Sequence, residues 1–312
     1  MIAHFDANTA AQIEEIIDGL TRPQKKLSPK YFYDERGSQL FDAITELDEY
    51  YPTRTEAQIL RTAVPELFDE LGDELAIIEY GSGSSIKTEI LLDHLPDLSS
   101  YVPLDISGEH LFKSADRLAT RYPHLDIVPV VADYTQGFEL PEISGRKIVF
   151  FPGSTIGNFE RAEAVGFLRS IADVIGQDGG LLLGVDLKKD PARLHAAYND
   201  AKGVTAAFNL NVLNHLNQTF GANFDPTSFY HYAFYNPREG RIEMHLASDK
   251  DQTVFIADQE IEFDEGETIW TESSCKYTVA EFEQLAQQAG LAVEQVWTDE
   301  NKLFSVQYLT QL

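Results

Sequence analysis

The amino-acid sequence predicts an α/β protein, a mostly parallel sheet covered by helices with a smaller second lobe. Three observations predict it. From Leu75 to about residue 187, short continuous apolar runs alternate with helical patterns, as strands buried on both faces require. The first of these runs, IIEYGSGSSIKTEILLDHL, passes from a strand through two glycines into a helix, a turn that brings backbone close to a nucleotide. After residue 188 the alternation gives way to aromatic-rich antiparallel patterns, and a helix with two strands returns only at 278–312.

Taken in order, residues 9–20 read as a helix. The stretch LSPKYFYDERGSQLFDAITELDEYYPTRTEAQILRTAV is dense in aromatics, and Pro52 marks a boundary after which a helix starts at Thr53 or Thr55. LAIIEY is a strand and 85–95 a helix; SYVPLDI is a strand and 107–121 a helix. LDIVPVVAD and KIVFFPG are strands, 160–175 a helix, and GGLLLGVDL a strand. Residues 190–220 read as helical. SFYHYAFYNPREGRIEMHLAS reads as two antiparallel strands turning near Asn236, Pro237 and Gly240. QTVFIADQEIEFDEGETIWTESSCKY continues in strands and turns. TVAEFEQLAQQAGL is a helix whose Thr278 and Glu281 stand at capping-box spacing, followed by strands at 293–298 and 303–309. No internal repeat or low-complexity segment interrupts the chain. The expected organisation is a nucleotide-binding core over 55–187 and 278–312, with 1–54 and 188–277 forming the second lobe.

Composition narrows the function. The chain has 312 residues, 43% of them apolar, enough for a full core. No run approaches the length of a membrane span. The N-terminal MIAHFDANTAAQIEEIIDGL carries acids within its apolar pattern and reads as an amphipathic helix, not a signal peptide. One cysteine, Cys275, rules out an internal disulfide and fits a reducing cytoplasm. With 51 acids against 24 bases the net charge is -27, which repels phosphate backbones and argues against a nucleic-acid partner. The acidity otherwise reads as a well-hydrated surface.

Ligands of doubly wound sheets bind beyond the carboxyl ends of the strands. Three acids lie at predicted strand ends: Glu79, Asp105 and Asp133. A carboxylate in the place of Asp105 can accept both hydroxyls of a ribose, and one in the place of Asp133 an adenine amino group. A dinucleotide dehydrogenase more often shows a third glycine, where this chain has Ile86. The pattern E-x-G-x-G, with an acid two residues before Gly81, suits a nucleoside ligand that has no pyrophosphate and carries a cation. S-adenosylmethionine is such a ligand. Each acid taken singly also fits a solvated strand end.

The loop FFPGSTIGNF leaves the fourth strand with Gly153, Ser154, Thr155, Gly157 and Asn158. Methyl transfer is an in-line displacement in which orientation matters most, and Asn158 on such a loop can hold an acceptor beside the donor. It can equally cap the helix that follows. The histidines His4, His94, His110, His124, His195, His215, His231 and His245 are scattered without zinc-ligand spacing. Cys275 has no activating neighbour in sequence and reads as a small buried residue. Asn217-Gln218-Thr219 is a glycosylation pattern without meaning in a cytoplasmic chain.

The blocks PKYFYDERGSQLFDAITELDEYYPTRTEAQIL, EYGSGSSIKT, PGSTIGNF, YNDAKGVTAAFN, RIEMHL and TESSCKY resemble the L-histidine N-alpha-methyltransferases of ergothioneine biosynthesis, from about Leu27 to Leu312. The resemblance implies a Rossmann-like class I methyltransferase core, mostly parallel with an antiparallel C-terminal strand, plus a smaller α+β substrate lobe. It implies S-adenosylmethionine as donor and trimethylation of the histidine α-amine to hercynine. Separately from the resemblance, a monomer is the expected state. Tyr33, Gly81, Lys87, Asp105, Asp133 and Tyr134 are then expected at the donor. Tyr50, Gly153, Asn158, Tyr198, Met244, Glu272 and Ser274 are expected at the histidine, with Tyr33 and Asn158 nearest the chemistry. Glu272 can accept an imidazole N–H and Ser274 can bond the same ring, while Met244 offers an adaptable wall. Taken without the resemblance, the tyrosines and Met244 read equally as core, and Glu272 and Lys87 as solvated residues. Two rival functions remain at this point. One is N-methylation of another amino acid such as tryptophan, whose indole gains little from Glu272. The other is a catalytically silent nucleoside-binding regulator.

Overall fold

A computed structural model of the chain describes residues 7–72, 74–83, 86–95 and 98–312. The expected N-terminal amphipathic stretch before Ala7, His4 within it, and the expected helix start at residue 85 lie outside the described residues. In chain order the elements are α1 (Ala7–Leu20), β1 (Lys25–Lys26), α2 (Glu35–Thr45), α3 (Tyr51–Leu71), β2 (Leu75–Tyr80), α4 (Ile86–Leu92), β3 (Ser100–Asp105) and α5 (Gly108–Arg121). Then come β4 (Asp126–Ile127), β5 (Val130–Val131), β6 (Arg146–Phe151), α6 (Arg161–Ile175), β7 (Gly180–Asp186), α7 (Pro191–Tyr198) and α8 (Val204–Phe220). The chain ends with β8 (Phe229–Asn236), β9 (Arg241–Ser248), β10 (Gln252–Ile256), β11 (Gln259–Phe263), β12 (Thr268–Cys275), α9 (Val279–Gln288), β13 (Leu291–Thr298) and β14 (Phe304–Gln311). Two compact units result. One comprises the chain up to Glu49 with Pro191–Asn236 and Ile242–Ser273, the other Tyr50–Asp190, Pro237–Arg241 and Ser274–Leu312.

The second unit is built on one sheet in the order β13-β14-β7-β6-β2-β3-β4, with β5 also paired to β3. Strands β7, β6, β2 and β3 run parallel, and β14 is antiparallel to both β7 and β13. Its apolar strand runs follow from burial on both faces. Ile77 and Ile78 are neighbours in sequence, yet Ile78 belongs to the buried cluster that holds Phe167, Leu168 and Phe282 while Ile77 belongs to the one that holds Leu60, Val64 and Leu91. Side chains alternate across a strand, so adjacent residues feed two different cores, each fully buried isoleucine contributing roughly 1.5–3 kcal/mol. Helix α9 begins as its local pattern dictates: the Thr278 hydroxyl accepts from Glu281 N at 3.1 Å, and Thr278 N donates to the Glu281 carboxylate at 2.8 Å.

Three elements differ from expectation. Pro52 lies inside the first turn of α3, which starts at Tyr51, before Thr53 or Thr55. Proline at that place lacks only an N–H that would have no helical partner. The run LDIVPVVAD is two short strands, β4 and β5, separated at Pro129, which has no N–H for a continuous ladder. Residues 190–220 form two helices, because the chain turns at Gly203, whose φ is +71°, and Asp200 then caps α8 by accepting from Val204 N and Thr205 N.

The first unit carries a sheet in the order β1-β12-β9-β8 and a separate β10/β11 hairpin. The two residues of β1 pair in parallel with Ile269 and Trp270, an element too short for any sequence period to reveal. Helix α8 holds the unit together. Phe208 stacks on Phe32 at 4.5 Å, and the Asn211 amide donates to Asp34 at 2.8 Å. No helix among the described residues is long and apolar enough to cross a membrane.

Candidate active site

In the second unit β2 ends at Tyr80 and the chain turns sharply through Gly81 and Gly83, with φ of +73° and +45°. These values lie in the region that only glycine enters cheaply. The turn is fastened to the end of β3, where Gly81 N and Ser82 N both donate to the Leu104 carbonyl, at 2.8 and 3.2 Å. A side chain at Gly81 would face the Tyr134 ring, its Cβ 3.8 Å from a ring carbon. The Asp105 carboxylate, one strand over, accepts from Gly83 N at 3.3 Å and Ser107 N at 2.9 Å. Burial pushes its pKa up, opposed by those backbone donors. Asp133 accepts from Thr135 N at 3.0 Å, shaping the loop that carries Tyr134. The structure thus brings Gly81, Asp105 and Tyr134 around one turn.

Glu79 is held inside the fold, 1% exposed, where it receives Thr88 Oγ1 at 2.6 Å and Tyr101 OH at 2.5 Å. Burial pushes its carboxyl up to about 7 despite both donors. It knits β2, α4 and β3 together behind the glycine turn.

Lys87 and Gly153 are joined through a residue that sequence reading missed. Glu56, on α3 and wholly buried, accepts from Gly153 N at 3.0 and 2.9 Å and pairs with Lys87 Nζ at 2.8 Å. Beyond Gly153 the chain makes a tight 3-10 turn, Thr155–Asn158. Ser154 enters it with a left-handed φ of +58°, and its hydroxyl accepts from Asp186 N at 2.9 Å. Gly157 lies so close to β12 that a Cβ there would stand 2.7 Å from the Cys275 carbonyl oxygen. Asn158 is therefore placed by anchors on β7 and β12. It is not the cap of α6: that position is Glu160, whose N–H donates to Glu163 and whose carboxylate pairs with Arg241. Cys275 is 4% exposed, and burial pushes its thiol up, as a packing residue requires.

Ser274 belongs to a second buried charge cluster. Asp186, at the end of β7, receives Tyr51 OH at 2.8 and 2.7 Å, Lys189 Nζ at 2.5 Å and Lys276 Nζ at 2.8 Å, and Lys276 also donates to Ser274 Oγ at 2.7 Å. Burial would push the Asp186 carboxyl up, but the charges of Lys276 and Lys189 outweigh it and hold the group below its usual range. Burial brings Lys189 down to about 8, opposed by Asp186. Tyr50, beside Tyr51, is the residue preceding α3, and its carbonyl accepts from Arg54 at 3.2 Å.

Tyr33, Tyr198, Met244 and Glu272 belong to the first unit. The Tyr33 ring meets Phe41 and Phe208 edge-on, each at 5.9 Å. The Tyr198 carbonyl accepts from His231 Nε2 at 2.9 Å, and the opposite nitrogen of that histidine accepts from the Asn209 amide at 2.9 Å. Met244 is 1% exposed among the buried residues of β9, and its carbonyl accepts from Thr271 Oγ1 at 3.0 Å. Along β12, Thr271 and Ser273 are buried while Trp270 and Glu272 are half-buried, and the Trp270 indole donates to the Glu272 carbonyl at 2.9 Å.

The residues missed from the sequence are Glu56, Asp186, Lys189 and Lys276. Asp186 had a usable signal, since it is a fourth acid at a predicted strand end. Glu56, Lys189 and Lys276 look like ordinary surface charges until their burial is known.

The sheet order, with β14 inserted antiparallel beside β7, and the glycine turn after β2 define a class I S-adenosylmethionine-dependent methyltransferase. The solved structure of the mitomycin 7-O-methyltransferase MmcR is similar in fold, with a TM-score of 0.52 at 13% identity, covering 98% of this chain and 69% of that one. The chain belongs to the family of histidine-specific, S-adenosylmethionine-dependent methyltransferases, whose model matches residues 12–311. It is 43% identical over 304 residues to the histidine N-alpha-methyltransferase of Mycolicibacterium smegmatis, covering 95% of this chain and 94% of that protein. It is 33% identical over 311 residues to ergothioneine biosynthesis protein 1 of Neurospora crassa, covering 92% of this chain and 34% of that longer protein. The methyl donor is S-adenosylmethionine.

Proposed function

We propose that the chain methylates the α-amino nitrogen of L-histidine three times, giving hercynine, the first step of ergothioneine biosynthesis. The observation that carries this reading is the 43% identity to a histidine N-alpha-methyltransferase over 95% of the chain. The residues of the second unit suit the donor. Bare backbone at Gly81 beneath the Tyr134 ring leaves room for a nucleoside, and the Asp105 carboxylate at a strand end suits ribose hydroxyls. Asp133 is read as the adenine partner, with Lys87 and Tyr33 completing the donor side.

When bound, S-adenosylmethionine supplies an electrophilic methyl group on a sulfonium sulfur. The chain's own residues have to orient the acceptor, since an in-line displacement gains most from alignment. Asn158 and Tyr198 are read as holding the α-amine and carboxylate, with Tyr50 and Gly153 beside them. Glu272 and Ser274 are read as gripping the ring, with Met244 as wall. The attacking amine must be neutral, although a free α-amine is largely protonated at neutral pH. Its proton leaves to water or through Tyr33. As methyls accumulate the nitrogen becomes a cation, which tyrosine faces accommodate. The reading includes a monomer acting in the reducing cytoplasm on a free amino acid.

Incubation with S-adenosylmethionine and each of the twenty amino acids, followed by mass, tests the reading. The expected result is a gain of three methyls on histidine alone. A gain on tryptophan, or on none, overturns it. Glu272→Ala is expected to weaken histidine binding about 10–100-fold, the loss of a hydrogen bond to a charged group, while donor affinity stays within twofold. Unchanged histidine affinity would remove Glu272 as the ring partner.

A further inference from the structure

Asn209 ends the block YNDAKGVTAAFN that Tyr198 begins, yet no step of the proposed reaction uses it. It lies inside α8 and is wholly buried. Asparagine is a poor residue for a helix interior, and burying its amide is costly unless the polar atoms are bonded. Here they are. Nδ2 lies 2.9 Å from the His245 carbonyl and 2.9 Å from His231 Nδ1, and Oδ1 accepts from Thr271 Oγ1 at 2.7 Å. A carbonyl only accepts, so the atom facing His245 is the amide nitrogen, and its second proton is left for His231 Nδ1. That ring nitrogen is therefore bare. The other, Nε2, stands 2.9 Å from the Tyr198 carbonyl and carries the proton. Burial pushes the His231 pKa down, opposed by the Tyr198 carbonyl and the Asp200 charge, which favours this neutral form.

Tyr198 is the last residue of α7, and the final carbonyls of a helix have no partner within it. A buried donor on the Tyr198 carbonyl holds that end against fraying, and with it the direction in which the side chain leaves the backbone. A second branch starts from the same amide. The Thr271 hydroxyl, on β12 beside Glu272, stands between Asn209 Oδ1 and the Met244 carbonyl, the latter at 3.0 Å. We propose that Asn209 is a positioning residue of the acceptor site: through His231 it fixes Tyr198, and through Thr271 it fixes the backbone that carries Met244 and Glu272. The inference rests on the reading of those three residues as histidine contacts. It adds what aligns them before the acceptor arrives, so that binding does not have to order them.

The test uses the full chain and calorimetry, with L-histidine titrated into protein saturated with S-adenosylhomocysteine, and S-adenosylhomocysteine titrated alone. Asn209→Leu removes all three bonds at similar volume. It is expected to weaken histidine binding about tenfold or more, the range of one or two buried hydrogen bonds, with S-adenosylhomocysteine affinity within about twofold. His231→Phe is expected to weaken histidine about tenfold, while His231→Gln, which keeps an N–H for the Tyr198 carbonyl, stays within about threefold of wild type. Tyr198→Phe is expected to cost about tenfold by itself, and His231→Phe added to it nothing further. Ring 15N shifts are expected to place the wild-type His231 proton on Nε2. Thermal melting monitors the fold, and if Asn209→Leu does not fold, His231→Phe and Thr271→Val break the two branches one at a time. Equal losses for both ligands, unchanged histidine affinity, or a proton on His231 Nδ1 overturns the proposal. So does a further loss in the double variant, since His231 would not then act through Tyr198. If Tyr198→Phe alone leaves histidine affinity unchanged, the reading of Tyr198 as an acceptor contact fails, and the proposal with it.

Discussion

Gly157→Ala tests whether the placement of Asn158 governs the reaction. The new Cβ would lie 2.7 Å from the Cys275 carbonyl oxygen and 3.1 Å from its nitrogen. Both are backbone atoms of a sheet strand, so the turn must give way. Reaching ordinary contact at 3.4 Å needs a shift of about 0.7 Å, and the adjacent residue is Asn158. Overpacking of this kind costs about 1–3 kcal/mol, which lowers the melting temperature by a few degrees. A misplacement near 1 Å costs about 100-fold in rate, so kcat/KM for histidine is expected to fall about 10–100-fold. Initial-rate kinetics measure this, with donor affinity expected within twofold because the glycine turn after β2 is untouched. Gly166→Ala, in the middle of α6 with nothing within 4 Å of its Cβ, is the control and is expected to be neutral or slightly stabilising. A folded Gly157→Ala protein working within twofold of wild type would refute the link between this close approach and catalysis.

Other outcomes follow from the buried acids and the cap. The Glu79 carboxyl, raised from 4.5 to about 7, binds its proton more tightly in the folded than in the unfolded chain. Its stabilising contribution is therefore full below about pH 4.5 and is lost as pH rises through about 7, a change on the order of 3 kcal/mol. Urea melts of wild type and Glu79→Gln across that window should diverge; parallel curves would contradict the assigned burial. Glu56→Gln keeps an acceptor for Gly153 N but removes the charge facing Lys87. It should lose about 2 kcal/mol in the same assay, less than a fully buried pair because Lys87 is partly exposed. A loss under about 0.5 kcal/mol would show the pair to be idle. Thr278→Ala removes the α9 cap and should cost about 1 kcal/mol of stability by denaturant melts, a neutral result counting against the capping box.

Much of the fold was legible because its causes are local. The capping box at Thr278 and Glu281 spans four residues, and the strands of the second unit announced themselves by apolar runs that burial on both faces demands. Pro129 and Pro52 were visible, but their effects depended on context: one split a strand, while the other sat harmlessly in the first turn of α3. The glycine turn and the strand-end place of Asp105 were legible because backbone strain and strand-end position are properties of short segments.

What the amino-acid sequence determined by itself was the class of fold, the glycine turn and, through its motif blocks, the family. What only the tertiary structure decided was which charges lose water and which partners they then find. Glu56 meets Gly153 across 97 positions, and Asp186 meets Tyr51 across 135. A carboxylate's role is set by the dielectric and the donors around it. Those come from strands and helices remote in sequence, and no local pattern encodes them.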